Sequence, residues 1–319
     1  MFQNLTQTFY RPYFGFSPLD IQYFLGKGET PRAYGPVGDP NYYAQILVAT
    51  IGLGLPLLWR ERARAIRLFA AASVAVMALA LAFTYSRGGM LALAIVITAM
   101  VFLGYLKLRH LVAMVLVAVV LISVVPGYRE RIESLAKLGG ATAQTGASNE
   151  ADEAARSRLT ENITAALVFL DYPVLGVGPG AFGYFYQEYA ARTGGPVHRS
   201  TRRGTERTAP GEAPKREAHN IFLSAAAETG ILGLLALCAV LGTAFRQLLR
   251  ARRAWRDPDP GSQALMTGLL LALIGYVAAG LFLTLAFERY LWLLLALMGA
   301  AAFVARERAT RPQGSGSVK

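Results

Sequence analysis

The residues of this chain whose chemistry can be specified from type and place are its three histidines, the arginines at the ends of apolar runs, and one carboxylate inside such a run. His219 opens an apolar run in EAHNIFLSAAAETG. A histidine there is either a proton carrier near neutral pH or a structural residue at a helix start. Glu228 stands nine positions later within the same run, and an ionisable residue at membrane depth either pairs or works. Arg87, in TYSRGGM, falls between two apolar runs. Such an arginine anchors a helix end by snorkelling to water, or it holds a ligand. Arg156 and Arg158 lie on an amphipathic stretch where exposure alone accounts for them. His110 borders a basic turn and His198 a Gly/Pro-interrupted loop, and neither is assigned a role. Cys238 is the single cysteine and sits among apolar residues, so one chain supplies no disulfide framework and no cysteine metal site.

The elements that must position these groups follow from composition. Of 319 residues, 54% are hydrophobic and 16% charged, against about 25% charged in an average soluble domain. The mean hydropathy of +0.37 agrees. A hydrophobic span needs about 20 apolar residues. Uncharged runs at Tyr42–Trp59, Ile66–Tyr85, Met90–Leu106, Leu111–Pro126, Ile221–Phe245, Ala264–Phe287 and Tyr290–Ala305 predict seven spans.

The net charge of +12 is explained by where the basic residues fall. Arg60, Arg62, Arg64 and Arg67 separate the first two spans; Lys107 and Arg109 follow the third; Arg246, Arg250, Arg252, Arg253 and Arg256 follow the fifth; Arg306, Arg308 and Arg311 end the chain. With alternating spans all these clusters share one side, which is the cytoplasmic side. Nucleic acid is not needed to explain the charge. The predicted division is an extracytoplasmic interfacial segment (1–41), four spans (42–126), an extracytoplasmic loop with short amphipathic helices (127–219), three spans (220–305) and a cytoplasmic tail (306–319). The predicted fold class is all-α, a polytopic transmembrane helix bundle with a large extracytoplasmic helical loop.

Residues 1–40 lack the basic start and apolar core of a signal peptide, and carry Phe9, Tyr10, Tyr13, Phe14, Phe16, Tyr23 and Phe24, an aromatic density suited to a membrane interface. They read as a loop after an earlier helix, so the chain is expected to be the carboxyl-terminal portion of a longer protein, the alternative being an amino terminus that is translocated unaided. In the long loop, LGGATAQTGASN (138–149) is small and Gly-rich and predicts a flexible connector. From Glu150, apolar residues recur at Leu159, Ile163, Ala166, Leu167 and Leu170, the spacing of an amphipathic helix that Pro173 stops. GVGPGAF (176–182) predicts a glycine turn into a second helix, 182–191, with aromatic residues along the membrane surface. The basic stretch 192–215 reads as a solvated loop.

Five strings taken together resemble the family of O-antigen ligases and polymerases of bacterial envelopes: RAYGPVGDPNYYA, TYSRGGMLAL, RSRLTENITAALVFLDYPVLGVGPGAF, AHNIFLSAAAETGILGLL and GLFLTLAFERYLWLLLAL. At the spacing where the family carries an aromatic residue, four after its loop arginine, this chain has Asn162. The resemblance implies a multi-pass inner-membrane glycosyltransferase. It would move a glycan from undecaprenyl diphosphate onto an acceptor hydroxyl at the outer leaflet, in lipopolysaccharide biosynthesis. The acceptor is lipid A core, another glycan or a protein.

Under that resemblance Arg87 and Arg158 are the candidates for holding the diphosphate, because guanidinium forks match phosphate oxygens. His219 is the candidate general base. Arg32, Asn220, Glu228 and Arg289 are candidate supporting residues. No cofactor is expected and no metal, since no DxD pair stands at the outer boundary and the arginines would take its place. Two alternatives remain open: a polysaccharide polymerase of the same family, and a small-anion transporter.

Overall fold

A computed structural model of the protein describes residues 33, 35–109, 112, 116, 146–192, 216–254 and 260–310. A short 3-10 turn at Gly35–Val37 precedes helices α1 (Pro40–Gly54), α2 (Leu57–Arg60), α3 (Arg64–Thr84), α4 (Arg87–Phe102), α5 (Gly146–Asp171), α6 (Phe182–Arg192), α7 (Ile221–Ala254), α8 (Pro260–Gly280) and α9 (Arg289–Thr310). Among the described residues there is no strand. Among the described residues five helices are long and apolar enough to cross a membrane: Pro40–Arg60 (α1 with α2), α3, α7, Gly261–Gly280 of α8 and Arg289–Glu307 of α9. Helix α4 is apolar but has 16 residues, about 24 Å at 1.5 Å per residue, short of a hydrocarbon core of about 30 Å. The chain is an all-helical, polytopic membrane protein. The expected span Leu111–Pro126 lies outside the described residues, apart from Val112 and Leu116.

Two helix boundaries depart from the hydropathy pattern for identifiable reasons. Pro56 lacks an N–H, so the first span bends between α1 and α2, with Leu58 N donating to Leu55 O (3.2 Å) in a tight turn. The apolar run Ala264–Phe287 is not one helix. Helix α8 stops at Gly280, and Leu281 N and Phe282 N donate three residues back, to Ala278 O and Ala279 O. Leu283, Leu285 and Ala286 are buried, so that segment is apolar because it packs and not because it is helical.

The chain forms two compact units. The first holds residues up to Tyr105, Ala239–Leu283 and Phe287 onward. Its centre is α8, buried over 83% of its most apolar stretch, against 17% for α3 and 22% for α9. Small residues let α8 lie antiparallel on α1: Gly268 faces Leu53, Gly52 faces Leu271, and Gly275 faces Val48. Outward-facing Leu68, Phe69, Trp292, Leu293 and Phe303 are exposed, a surface suited to acyl chains. At one end of this unit Asp39 Oδ1 caps α1 by accepting from Asn41 N and Tyr42 N, and Ser86 Oγ donates to Asn41 Oδ1 (2.9 Å). At the other end Arg60 lies over the Tyr105 ring (5.4 Å), and Arg252 donates to Leu103 O (2.6 Å) and Thr267 Oγ1 (3.1 Å). Arginines from two separate basic clusters thus meet at one end.

The second unit holds Leu106–Cys238 with Thr284–Ala286. Its core is Ala165 and Val168 of α5, Phe182, Tyr186, Tyr189 and Ala190 of α6, with Ala218 and Ala227. This shows which face of α5 packs and corrects one expectation for α6. The apolar stripe of α5 is not the buried face: Leu159, Ile163 and Leu170 are exposed, whereas Thr160, Glu161, Thr164, Ala165 and Val168 are buried. Small side chains on that face let α6 approach with its rings. Phe182, Tyr186 and Tyr189 therefore build a protein core and do not lie along a membrane surface. Helix α5 also begins at Gly146, within the stretch expected to be a connector.

Candidate active site

His219 is placed by three local features of the second unit. Asn220 is the cap of α7, its Oδ1 accepting from Phe222 N (2.9 Å) and Leu223 N (3.1 Å). The residue before the cap must leave the helical path, and His219 does so at φ 47, a left-handed conformation that a non-glycine residue adopts only where its surroundings enforce it. The enforcing bond runs from His219 N to Thr284 Oγ1 (3.0 Å). A histidine so fixed cannot swing freely with the preceding loop.

Its ring meets a carboxylate that the sequence reading did not single out. Glu161 Oε2 is 3.4 Å from His219 Nε2, and Glu161 Oε1 accepts from Arg216 Nη1 at 3.1 Å. The side chains are 4% (Glu161), 23% (Arg216) and 29% (His219) exposed, so the carboxylate is enclosed and both of its partners reach solvent. Ser157 Oγ donates to Glu161 Oε1 at 3.4 Å, and Arg216 lies over the Tyr186 ring at 5.3 Å. Burial pushes the Glu161 carboxyl above its ordinary range, and the charge and hydrogen bond of Arg216 pull against that shift, with smaller help from Ser157 and Arg158. The same carboxylate, after burial, raises the Tyr186 phenol.

The frame beneath this cluster is the glycine turn after α5. In an unbroken helix Ala227 O would accept from Ile231 N. Gly230, at φ 65 and ψ −164, interrupts α7 there. Ile231 N turns to Pro173 O (2.8 Å), and the released carbonyls of Ala227 and Glu228 accept from Val177 N (3.0 Å) and Gly178 N (2.9 Å). Only glycine fits either side of this seam. A Cβ on Gly230 would collide with the Val174 carbonyl and one on Gly176 with the Glu228 backbone. The Glu228 side chain accepts from Gly180 N (2.9 Å), just ahead of α6. Its partner is therefore backbone at a helix start, where negative charge is favoured.

The other candidates fall as follows. Arg158 is exposed on α5, near enough for its charge to act on Glu161. Arg87 belongs to the first unit, the exposed first residue of α4 after the Ser86 cap, whose Oγ accepts from Gly89 N. Arg289 is the exposed first residue of α9 in that unit. Arg32 lies outside the described residues, as do His110 and His198. Among the described residues no group of three or more His, Cys, Asp and Glu side chains is placed to hold a metal ion. What sequence reasoning missed was Glu161 and Arg216. The available signal was Arg216 three residues before His219, and a Glu three residues after Arg158 on a helix whose Thr and Ala positions form a small-residue face.

Residues 72–238 match the sequence model of the family described as O-antigen ligase. The chain belongs to the O-antigen ligase family. The match takes in most of α3, all of α4, α5 and α6, and the part of α7 that carries Glu228 and Gly230, so every residue of the His219 cluster except Thr284 falls within it. No curated protein matches the chain. The O-antigen ligase family is one of membrane glycosyltransferases of ligase or polymerase type, whose substrates are a lipid-linked glycan and a glycan acceptor. The match and the apolar helices together indicate a membrane protein of the bacterial inner membrane type.

Proposed function

We propose that this protein is a glycosyltransferase of ligase type that moves a glycan from undecaprenyl diphosphate to an acceptor hydroxyl at the outer leaflet, with His219 as general base. The acceptor oxygen attacks the anomeric carbon, the bond to the diphosphate breaks, and the proton of the hydroxyl passes to His219. Arg87 and Arg158 bind the diphosphate, whose charge grows as it leaves. Asn220 and Glu228 hold the frame, Arg32 and Arg289 add positive charge, and lipid A core or another glycan or protein is the acceptor. The chain lies in the bacterial inner membrane with its carboxyl terminus in the cytoplasm, and neither metal nor other cofactor takes part.

The observation that carries this reading is the fixed imidazole. His219 is held by a left-handed turn, the Asn220 cap and Thr284, with a carboxylate at 3.4 Å and an arginine on the same carboxylate. A positioned base contributes about 100-fold to 10,000-fold in rate. In reconstituted protein, His219→Gln should lose transfer by that factor while still binding the lipid diphosphate. Normal transfer would remove His219 from the role, and failure to bind donor would move it to the diphosphate site. Arg87→Lys should lose most activity despite its charge, since an ammonium cannot form the forked contact.

A further inference from the structure

Glu161 is given no role in the reading above, yet among the described residues it is the most enclosed carboxylate outside the spanning helices. It lies on the buried face of α5, 4% exposed, with Arg216 on one oxygen and His219 facing the other. Oε2 makes no hydrogen bond in the free site. A buried acceptor left in that condition is destabilising, and apolar replacement would be the simpler way to pack α5 against α6. An acceptor so placed is ready for a donor that forms during the reaction.

We propose that Glu161 is the positioning residue for His219, its carboxylate fixing the orientation and tautomer of the ring and stabilising the imidazolium that forms when the acceptor hydroxyl gives up its proton. The proposal rests on His219 being the base. With Nε2–H directed at Glu161, Nδ1, which is buried in the free site, is the nitrogen left to take the proton, and the separation of 3.4 Å closes to a hydrogen bond once the ring is charged. Arg216 has a second part in this arrangement. It keeps Glu161 ionised against the burial that favours the neutral acid, without which the carboxyl could not offer a negative charge. The groups facing Glu161 are Ser157 and Arg158 from α5, Tyr186 from α6, and Arg216 and His219 from the segment before α7. All but Ser157 and Tyr186 are cationic or become so, which suits a carboxylate that acts as an anion.

The test uses the full chain in proteoliposomes with lipid diphosphate donor, following kcat, donor KM and the pH profile of kcat/KM. Glu161→Gln keeps the size of the side chain, so donor KM should stay within about twofold while kcat falls about tenfold to 100-fold, the range for groups that orient a reacting histidine. Its acid limb should move to lower pH, because an imidazolium without its anion loses its proton more readily. Arg216→Met should lower kcat as Glu161→Gln does while displacing the acid limb less, since the carboxyl goes neutral and the cation beside it is lost together. A purely structural role for Glu161 would lower activity without displacing the limb. In the His219→Gln background, Glu161→Gln should add no further loss. If His219→Gln is inactive and Glu161→Gln leaves rate and limb unchanged, the positioning role is wrong and the base reading stands. If His219→Gln is fully active, the base reading fails first.

Discussion

The second unit contains two clusters built from the same side-chain types with opposite consequences. At the end of α5, Asp171 accepts from Tyr189 (2.6 Å) and pairs with Arg192 (3.2 Å), which also pairs with Glu188 (2.6 Å) and lies over the Tyr189 ring. Arg192, Asp171 and Glu188 are about half exposed, at 53%, 49% and 61%. Three turns earlier on α5, Glu161 meets Arg216 and His219 at 4% exposure. The outer cluster has ordinary hydrogen-bond distances but lies in water, where ion pairs contribute little. The inner one has longer distances and an acceptor awaiting a donor, in surroundings where charge is strongly felt. Enclosure, and not closeness of contact, separates a group that can bias a proton from one that only ties two helices together.

The sharpest break of this comparison is in turnover. Asp171→Asn should leave the transfer rate within about twofold of the parent, whereas Glu161→Gln should lower it about tenfold to 100-fold. Equal losses would mean that the two clusters serve the same structural purpose.

Next in size is the seam beneath both. Gly230→Ala forces a side chain into a glycine-only conformation and against the Val174 carbonyl. Backbone strain of about 1–3 kcal/mol and loss of cross-seam hydrogen bonds at about 1 kcal/mol each should together cost about 3 kcal/mol or more. The thermal midpoint in detergent should fall by several degrees, with transfer activity falling in parallel. An unchanged midpoint would show that the glycine turn is not fixed to α7 through this seam.

A smaller effect concerns pH and stability. The Glu161 carboxyl is shifted upward on folding, so its contribution is fully present below the unfolded pKa and is lost as pH rises through the folded one. Neutral Gln removes that loss. At pH 7 Glu161→Gln should therefore melt no lower than the parent, and its advantage should shrink as pH falls toward 4. A variant that melts lower at pH 7 would mean that the ionised pair with Arg216 is a net stabiliser. The smallest effect is at the outer cluster. The hydrogen bond to Asp171 pushes the Tyr189 phenol up to about 12, so its stabilisation is present below the usual tyrosine range near 10 and fades as pH rises toward about 12. Asp171→Asn should bring one tyrosine back toward 10 in an alkaline absorbance titration, with a stability change under about 1 kcal/mol.

By itself the sequence determined the class of this protein. Apolar runs long enough for a bilayer, interrupted by one-sided arginine clusters, admit an all-helical membrane chain, and Asn220, Pro173 and the glycines of GVGPG mark their local turns by backbone chemistry alone. It also carried the family resemblance that residues 72–238 bear out. Tertiary structure decided what faces what. The Leu stripe of α5 was the natural choice for burial, yet Ala and Thr turned inward because α6 brings Phe182, Tyr186 and Tyr189, and large rings need small partners. The run after Gly280 stayed apolar without staying helical because burial, not helix formation, fixes its composition. Glu161 could not be distinguished from a solvated carboxylate on an amphipathic helix, since its neighbours in sequence are not its neighbours in space. Arg216 and His219 reach it across 55 and 58 residues of chain, and only the folded unit removes the water that would otherwise screen one from another.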